Sequence, residues 1–224
     1  MYANPALLQP RSNREDFIET IGLYDDDTFA PINLTGTATA SGQAFTSAAW
    51  NVTDGAIATA SATSITIPAF PVGAQLSALA LTVGAGLGIL PGDPIKIADT
   101  ATGLNTMAGY VVSYAAATGA LVCQIGWTYQ FEIRKLPPNW TPGTDYTSFY
   151  DFGTSSPSPV LSASLAAGTI QVIDMGVIQI LIPEKTFRTL SSGTYGASLT
   201  MTDGVNTRQV FIGRLPVLHG GVSN

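Results

Sequence analysis

TYGASLTMTDGVNTRQVFIGRL, residues 194–215, is the stretch on which the fold class turns. Tyr195, Ala197, Leu199 and Met201 alternate with Gly196, Ser198, Thr200 and Thr202. That is a period of two, with one apolar and one polar face, the signature of a strand against a core. Asp203-Gly204 follows, a pair suited to the positive φ angles of a tight turn. Thr207 to Leu215 returns as the partner strand, so the stretch reads as a hairpin. Just upstream, Val177 to Ile182 is nearly all apolar and β-branched, the composition of a strand covered on both faces, and Pro183 ends it.

Working outward, a second hairpin lies mid-chain. Tyr110, Val112 and Tyr114 share one face, AAATG (115–119) turns the chain, and Leu121, Cys123, Ile125 and Trp127 share a face on the return. The alternation runs on through Tyr129, Phe131 and Ile133, with Gln130, Glu132 and Arg134 opposite. That is too long for an ordinary strand. Gly126 marks the break where the chain leaves one sheet for another. Near the N-terminus, Met1 to Asn13 reads as an extended arm in which Pro5 and Pro10 block regular structure. Ser12 and Glu15 fit a helix capping box, but Phe17, Glu19, Ile21 and Leu23 alternate and favour a strand, with Asp25, Asp26 and Asp27 turning the chain before Pro31. Leu161 to Ala167 is a weak helix candidate, undermined by Gly168 and the β-branched residues after it. Many short strands with Gly, Pro and Asp turns indicate an all-β sandwich or barrel.

The 224 residues suffice for one large β domain or two small ones. No apolar run is long enough to cross a bilayer as a helix, and MYANPALLQPRSNRED lacks the basic start and apolar block of a signal peptide. The net charge of -6, with nine basic residues spread along the chain, argues against nucleic-acid binding. From Thr28 to Gly92 the only ionisable side chain of the Asp, Glu, Lys and Arg types is Asp54. A free surface ordinarily carries far more charge. Either Ser, Thr and Asn side chains solubilise this segment, or other subunits cover it.

Two segments resemble sequences of tailed phages. DFIETIGLYDDDTFAPINLTG (16–36) is similar to the opening of an immunoglobulin-like module of phage tail and baseplate proteins, in which a strand, an acidic turn and a P-I-D-L-T-G-like phrase precede a strand ending in I-R. Here the phrase is PINLTG, with Asn in place of Asp, and FEIRK (131–135) resembles the following strand. VIQILIPEKTFRTLSSGTYGASLTMTDGVNTRQVFIGRLPV (177–217) resembles that module's close, as found at the N-terminus of baseplate upper proteins. Between the two parts, residues 82–125 are similar to a small β-barrel of phage tail and fibre proteins, with Asn105, Met107, Gly109, Val111, Ser113 and Tyr114 at matching spacing. The resemblance implies an all-β chain with an immunoglobulin-like β-sandwich at 13–43 and 129–218. A small β-barrel at 44–128 would interrupt it, flanked by an extended N-terminal arm at 1–12 and a C-terminal tail at 219–224. Such an insertion at a hairpin tip is sterically cheap. The resemblance further implies a virion location, with assembly in the host bacterial cytoplasm.

Reactive chemistry finds little support. The single histidine, His219, reads as an exposed tail residue, and Cys123, alternating with core residues, as a small buried hydrophobe. No disulfide is possible with one cysteine, and a Cys/His metal site is excluded by number. Asp25, Asp26 and Asp27 read as a solvated turn, ahead of a calcium site and, last, of catalysis. Asp145 and Asp151 lie in a proline-rich loop (136–159) with Trp140, Tyr146, Phe149 and Tyr150. Those four aromatics can pin the loop to its own sandwich, form a subunit interface or stack on a sugar. No catalytic residue, cofactor or metal is expected. The function expected is that of a non-enzymatic structural or connecting subunit in the tail, baseplate, neck or capsid surface. Its partners would be other virion proteins and further copies of itself in a symmetric ring or trimer, with no membrane insertion. The alternative is a receptor- or carbohydrate-binding tail module whose partner is a host surface glycan.

Overall fold

The computed structural model describes residues 6–25, 28–69, 78–136, 158–202, 204 and 206–220. In chain order the elements are β1 (Ala6–Leu7), β2 (Arg11–Ser12), β3 (Phe17–Gly22), β4 (Thr37–Ala38), β5 (Phe45–Ser47), β6 (Trp50–Asp54), β7 (Ile57–Ser61), β8 (Ile65–Ile67) and β9 (Leu79–Thr82). They continue with β10 (Pro94–Asp99), β11 (Thr106–Ala115), β12 (Ala120–Ile125), β13 (Thr128–Lys135), β14 (Leu161–Ser164), β15 (Ile170–Asp174) and β16 (Val177–Ile182). After the short helix α1 (Glu184–Phe187) come β17 (Gly193–Thr202) and β18 (Thr207–Leu218). The chain is all-β, with curled sheets that form half-barrels.

Two hydrophobic cores organise these strands. In the first body a sheet in the order β1-β18-β17-β13-β14, with β2 also on β18, accompanies a sheet in the order β15-β16-β3. Its core centres on phenylalanines. Phe17 stacks on Phe131 at 5.5 Å between ring centroids and meets Phe187 at 5.3 Å, while Phe211 lies 6.1 Å from Phe131. Each such pair adds roughly 0.5–1.5 kcal/mol beyond area burial. Because Phe17 sits near the N-terminus, Phe131 mid-chain and Phe211 near the end, this core forms only when three distant segments meet.

The second body is drawn from one continuous stretch. Its main sheet runs β7-β6-β10-β11-β12-β9, with β4 on β11, and β5 pairs with β8 beside it. Trp50, Ile67, Ile97, Met107, Leu121, Cys123 and Ile125 are fully buried in its core. Trp50 carries its one polar atom inward at no hydrogen-bonding loss, since Nε1 donates to the carbonyls of Ser47 and Thr63, both at 3.1 Å. The end strands β7 and β9 are bridged by threonine hydroxyls: Thr59 Oγ1 accepts from the Gly84 amide at 3.1 Å and Thr63 Oγ1 from the Thr82 amide at 3.1 Å. Backbone amides at the β9 edge thus find partners without a continuous ladder.

Several expectations meet the structure directly. Both hairpins form, β17 with β18 and β11 with β12, and Gly126 (φ 71) separates β12 from β13, which lie in different sheets. Ser12 and Glu15 make half of the expected box, with the Ser12 amide donating to Glu15 Oε1 at 2.9 Å. No helix follows them, because Phe17 and Ile21 are drawn into pairing with β16. The weak helix candidate at 161–167 is β14 and a turn. Tyr110, Val112 and Tyr114 do not share one face: Tyr114 packs against the second core and Val112 does not. Met107 and Val111 are buried and Val112 is exposed, because a β-bulge between Val111 and Ser113 resets the alternation. On β16 only Ile178, Ile180 and Ile182 are buried, and the intervening Val177, Gln179 and Leu181 are half-exposed, so the strand is covered fully on one face and not on both. Thr37–Ala38 already pairs with β11, so the second body's sheet begins before Ala44. The described part of the arm pairs with its own chain's β18 in parallel.

Candidate functional site

The two bodies meet where the chain crosses between them twice. The crossings lie side by side on one residue of β11: the Ala108 amide donates to the Gly36 carbonyl at 2.7 Å, and the Gly126 amide donates to the Ala108 carbonyl at 2.9 Å. The Trp127 amide donates to the Leu34 carbonyl at 3.1 Å, closing the junction. Gly36 has φ 67, and a Cβ there would stand 2.6 Å from the Gly126 Cα. Only glycine permits both that backbone conformation and that approach. A third contact comes from the β17–β18 hairpin, where a Cβ on Gly204 would stand 2.0 Å from a Tyr110 ring atom.

Beside this junction lies a cleft of about 530 Å³, lined by Asn33, Thr37, Thr106, Trp127, Asn206 and the small residues around Ala108. It falls in the size range of small-ligand sites. The Arg208 guanidinium sits 5.4 Å from the Trp127 ring centroid, a cation–π contact that fixes one face of the indole. Asn33 is held by its neighbours: its Nδ2 donates to the Thr37 carbonyl at 2.9 Å, and its Oδ1 accepts from Thr35 Oγ1 at 3.0 Å and the Gly36 amide at 3.2 Å. Among the described residues no carboxylate, histidine or cysteine belongs to the lining. Amides, hydroxyls, a proline and an indole can bind an uncharged ligand by hydrogen bonds and apolar contact.

Of the candidates read from the sequence, Asp25, Cys123 and His219 are described and do not line this cleft. Trp140, Tyr146, Phe149 and Tyr150 lie outside the described residues, as do Asp145, Asp151, Asp26 and Asp27. Asp25 closes a turn, its Oδ1 accepting from the Thr28 amide at 2.9 Å and from Thr28 Oγ1 at 2.8 Å. Next to it Phe29 holds φ 54 and is 79% exposed, so a bulky apolar side chain is both strained and presented to solvent. Among the described residues no three of His, Cys, Asp and Glu gather as metal ligands would, and no helix is long and apolar enough to cross a membrane. Cys123 is fully buried and burial pushes its thiol up to about 12, which leaves it unreactive at neutral pH. His219 is exposed, with Nδ1 3.4 Å from Asn13 Nδ2.

Two carboxylate arrangements went unforeseen. Asp99, 1% exposed, is a buried charge. Burial alone would raise its pKa, but the backbone amides of Thr102 and Asn105, with their side chains, hold it well below the usual carboxylate range. Asn105 donates to Asp99 Oδ2 at 3.1 Å and accepts the Ala40 amide at 3.0 Å, so one side chain ties the β10–β11 loop to the segment after β4. The Asn105 and Tyr114 positions of the sequence resemblance are therefore structural fastenings. Tyr114 Oη donates to the Gly84 carbonyl at 2.6 Å and accepts the Leu87 amide at 3.0 Å. In the turns at Asp54 and Asp93, burial first, then a bond to Asp93 and its charge, raise the Asp54 pKa.

Compared with models of known protein families, with curated proteins and with solved structures, the chain matches none.

Proposed function

We propose that the chain is a structural or connecting subunit of a tailed-phage virion, non-enzymatic, acting through interfaces with other virion proteins and with further copies of itself. The observation that carries this reading is the charge-poor surface of the second body. From Thr28 to Gly92 Asp54 is the sole ionisable Asp, Glu, Lys or Arg, and this part of the chain exposes Phe29 and Leu90. Leu104 and Val112 join Leu90 as exposed apolar side chains of the second body, while Phe29 lies in the first body's segment between Leu23 and Leu34. Interfaces are depleted in charge and enriched in such groups. A strained, exposed Phe29 is understandable where a neighbour receives it. The resemblance of residues 16–36, 82–125, 131–135 and 177–217 to phage tail and baseplate modules supports the virion as the setting. Its finer content, an immunoglobulin-like sandwich interrupted by a small closed barrel, belongs to the same proposal.

The test is assembly. Thr46 and Thr66 face each other across β5 and β8, exposed, with their hydroxyls 2.8 Å apart. Replacing both by Lys places like charges on this face without touching either core. Light scattering on size-exclusion fractions is expected to give a defined oligomer for the parent chain and a smaller species for T46K/T66K, with unchanged thermal unfolding. A parent chain that stays monomeric at millimolar concentration refutes the reading.

The junction cleft favours a second reading, a glycan-binding tail module, because an uncharged lining of amides, hydroxyls and one indole suits a neutral polyhydroxyl ligand. Titration with a panel of mono- and disaccharides, read by ligand-observed NMR, tests it. Saturable binding lost on filling the cleft with Ala108→Trp supports this reading, and no binding by any member of the panel removes it.

A further inference from the structure

The arm's attachment to β18 is built from two short parallel ladders. Ala6 and Leu7 pair with Gly213 and Arg214, and Arg11 and Ser12 pair with Val217 and Leu218. Between the ladders, Leu8, Gln9 and Pro10 span the stretch that β18 covers with Leu215 and Pro216 alone. The arm therefore bulges there, and Pro10 denies the ladder a donor at the same place.

The inner half is fastened by side chains: Arg11 donates to the Ile18 carbonyl at 3.1 Å and pairs with Glu19 at 3.0 Å. Asn13, 3% exposed, donates to the Leu190 carbonyl at 2.9 Å and accepts the Gly220 amide at 3.3 Å. The bonds described for the outer half are backbone bonds to β18, among them the Leu8 amide to the Arg214 carbonyl at 3.0 Å, with the Leu8 side chain against the first core. Backbone bonds of this kind do not distinguish one copy of a segment from another. If the outer half leaves, it uncovers the edge of a 12-residue strand rich in buried apolar side chains, an edge that must be refilled.

We infer that residues 6–8 are an exchangeable strand: in the assembled state they add to β18 of a second copy of this chain, in the lane they occupy on their own, with Leu8–Pro10 as the hinge. The inference rests on the subunit reading above and names the segment and the receiving edge. Exchange re-forms every contact it breaks, so its balance is set by concentration and by how closely copies are packed. The three hinge residues reach about 10 Å when extended, which requires neighbours in direct contact at this edge.

Mixing two full-length single-cysteine-addition variants tests this, one carrying Ala6→Cys and the other Gly213→Cys. Paired residues in a ladder lie within the span a disulfide bridges, roughly 4.4–6.8 Å between Cα atoms. A mixed disulfide forms only where the arm of one copy lies on β18 of the other, and the buried Cys123 thiol gives no background. Expected is a reducible band of twice the chain mass from the mixture and not from either variant alone. Deletion of residues 1–8 is expected to abolish the oligomer while leaving the folded circular dichroism spectrum, which keeps the test independent of how Gly213→Cys folds. An oligomer that forms without the mixed disulfide and survives the deletion overturns the exchange and leaves the subunit reading standing. A parent chain monomeric at every concentration overturns both.

Discussion

The two bodies solve the same problem with opposite economies of sequence. The first gathers Phe17, Phe131, Phe187 and Phe211 from the whole length of the chain, and β3 pairs with β16 from far downstream. The second takes its core from Trp50 to Ile125, and its fastenings, such as Asn105 to Ala40, span less of the chain by comparison. The second body can therefore form as the chain collapses locally, whereas the first waits on closure of a long loop that the second body itself shortens. The difference teaches why the crossings are so tight. Gly36 and Gly126 must lie in contact for the inserted body to bring the first body's halves together.

If the bodies are energetically distinct, damage to one core should show as its own transition. Trp50→Ala removes the largest fully buried side chain and leaves the Ser47 and Thr63 carbonyls without their donor, and should cost about 3–5 kcal/mol. Phe131→Ala should cost a similar amount in the other body. Differential scanning calorimetry is expected to show the two variants lowering different transitions. A single transition shifted equally by both would mean that the bodies unfold as one unit. Gly36→Val attacks the junction itself, forcing a β-branched residue to φ 67 against the Gly126 backbone. A loss of about 2–4 kcal/mol is expected, with the transitions moving apart because their coupling is what the substitution strains.

Acid sharpens the comparison further. The folded-state pKa of Asp99 lies below its unfolded value, so its contribution is complete above the unfolded pKa of about 3.9 and drains away as pH falls from there toward the folded value. The second body should lose stability first on acidification, and Asp99→Asn should flatten that slope while lowering stability at neutral pH. The smallest effect has the opposite sign. Asp54 has its pKa raised by burial and by Asp93, so it favours the fold at low pH and opposes it as pH rises through the raised pKa. Asp54→Asn should slightly stabilise the second body at pH 7, with the gain vanishing in acid. An equal gain at pH 3 and pH 7 would show that repulsion between the two carboxylates is not its source.

Much of this architecture was legible in residue order. The alternation at 195–201 placed a strand and its turn, and Gly126 divided a run of alternation too long for one strand. Tyr110, Val112 and Tyr114 misled because alternation assumes an unbroken pleat, and the bulge at 111–113 inserts a residue that inverts the faces beyond it. Asp99 gave no signal, since an aspartate followed by a Thr- and Gly-containing loop reads as an ordinary turn until burial and its four donors are seen together. The cleft was illegible for the same reason: Asn33, Thr106, Trp127 and Asn206 are unremarkable separately and meet only because two crossings share Ala108.

Residue order by itself determined the all-β class, the hairpins and the change of sheet at Gly126, because period-two burial and turn chemistry are properties of a few consecutive residues. Tertiary structure alone decided which edge receives the arm, that Asp99 keeps its charge in the interior, and that a cleft opens where Asn33, Thr106, Trp127 and Asn206 meet. Those outcomes depend on register and approach between segments far apart in the chain, and no local pattern encodes the distance at which two backbones come to rest.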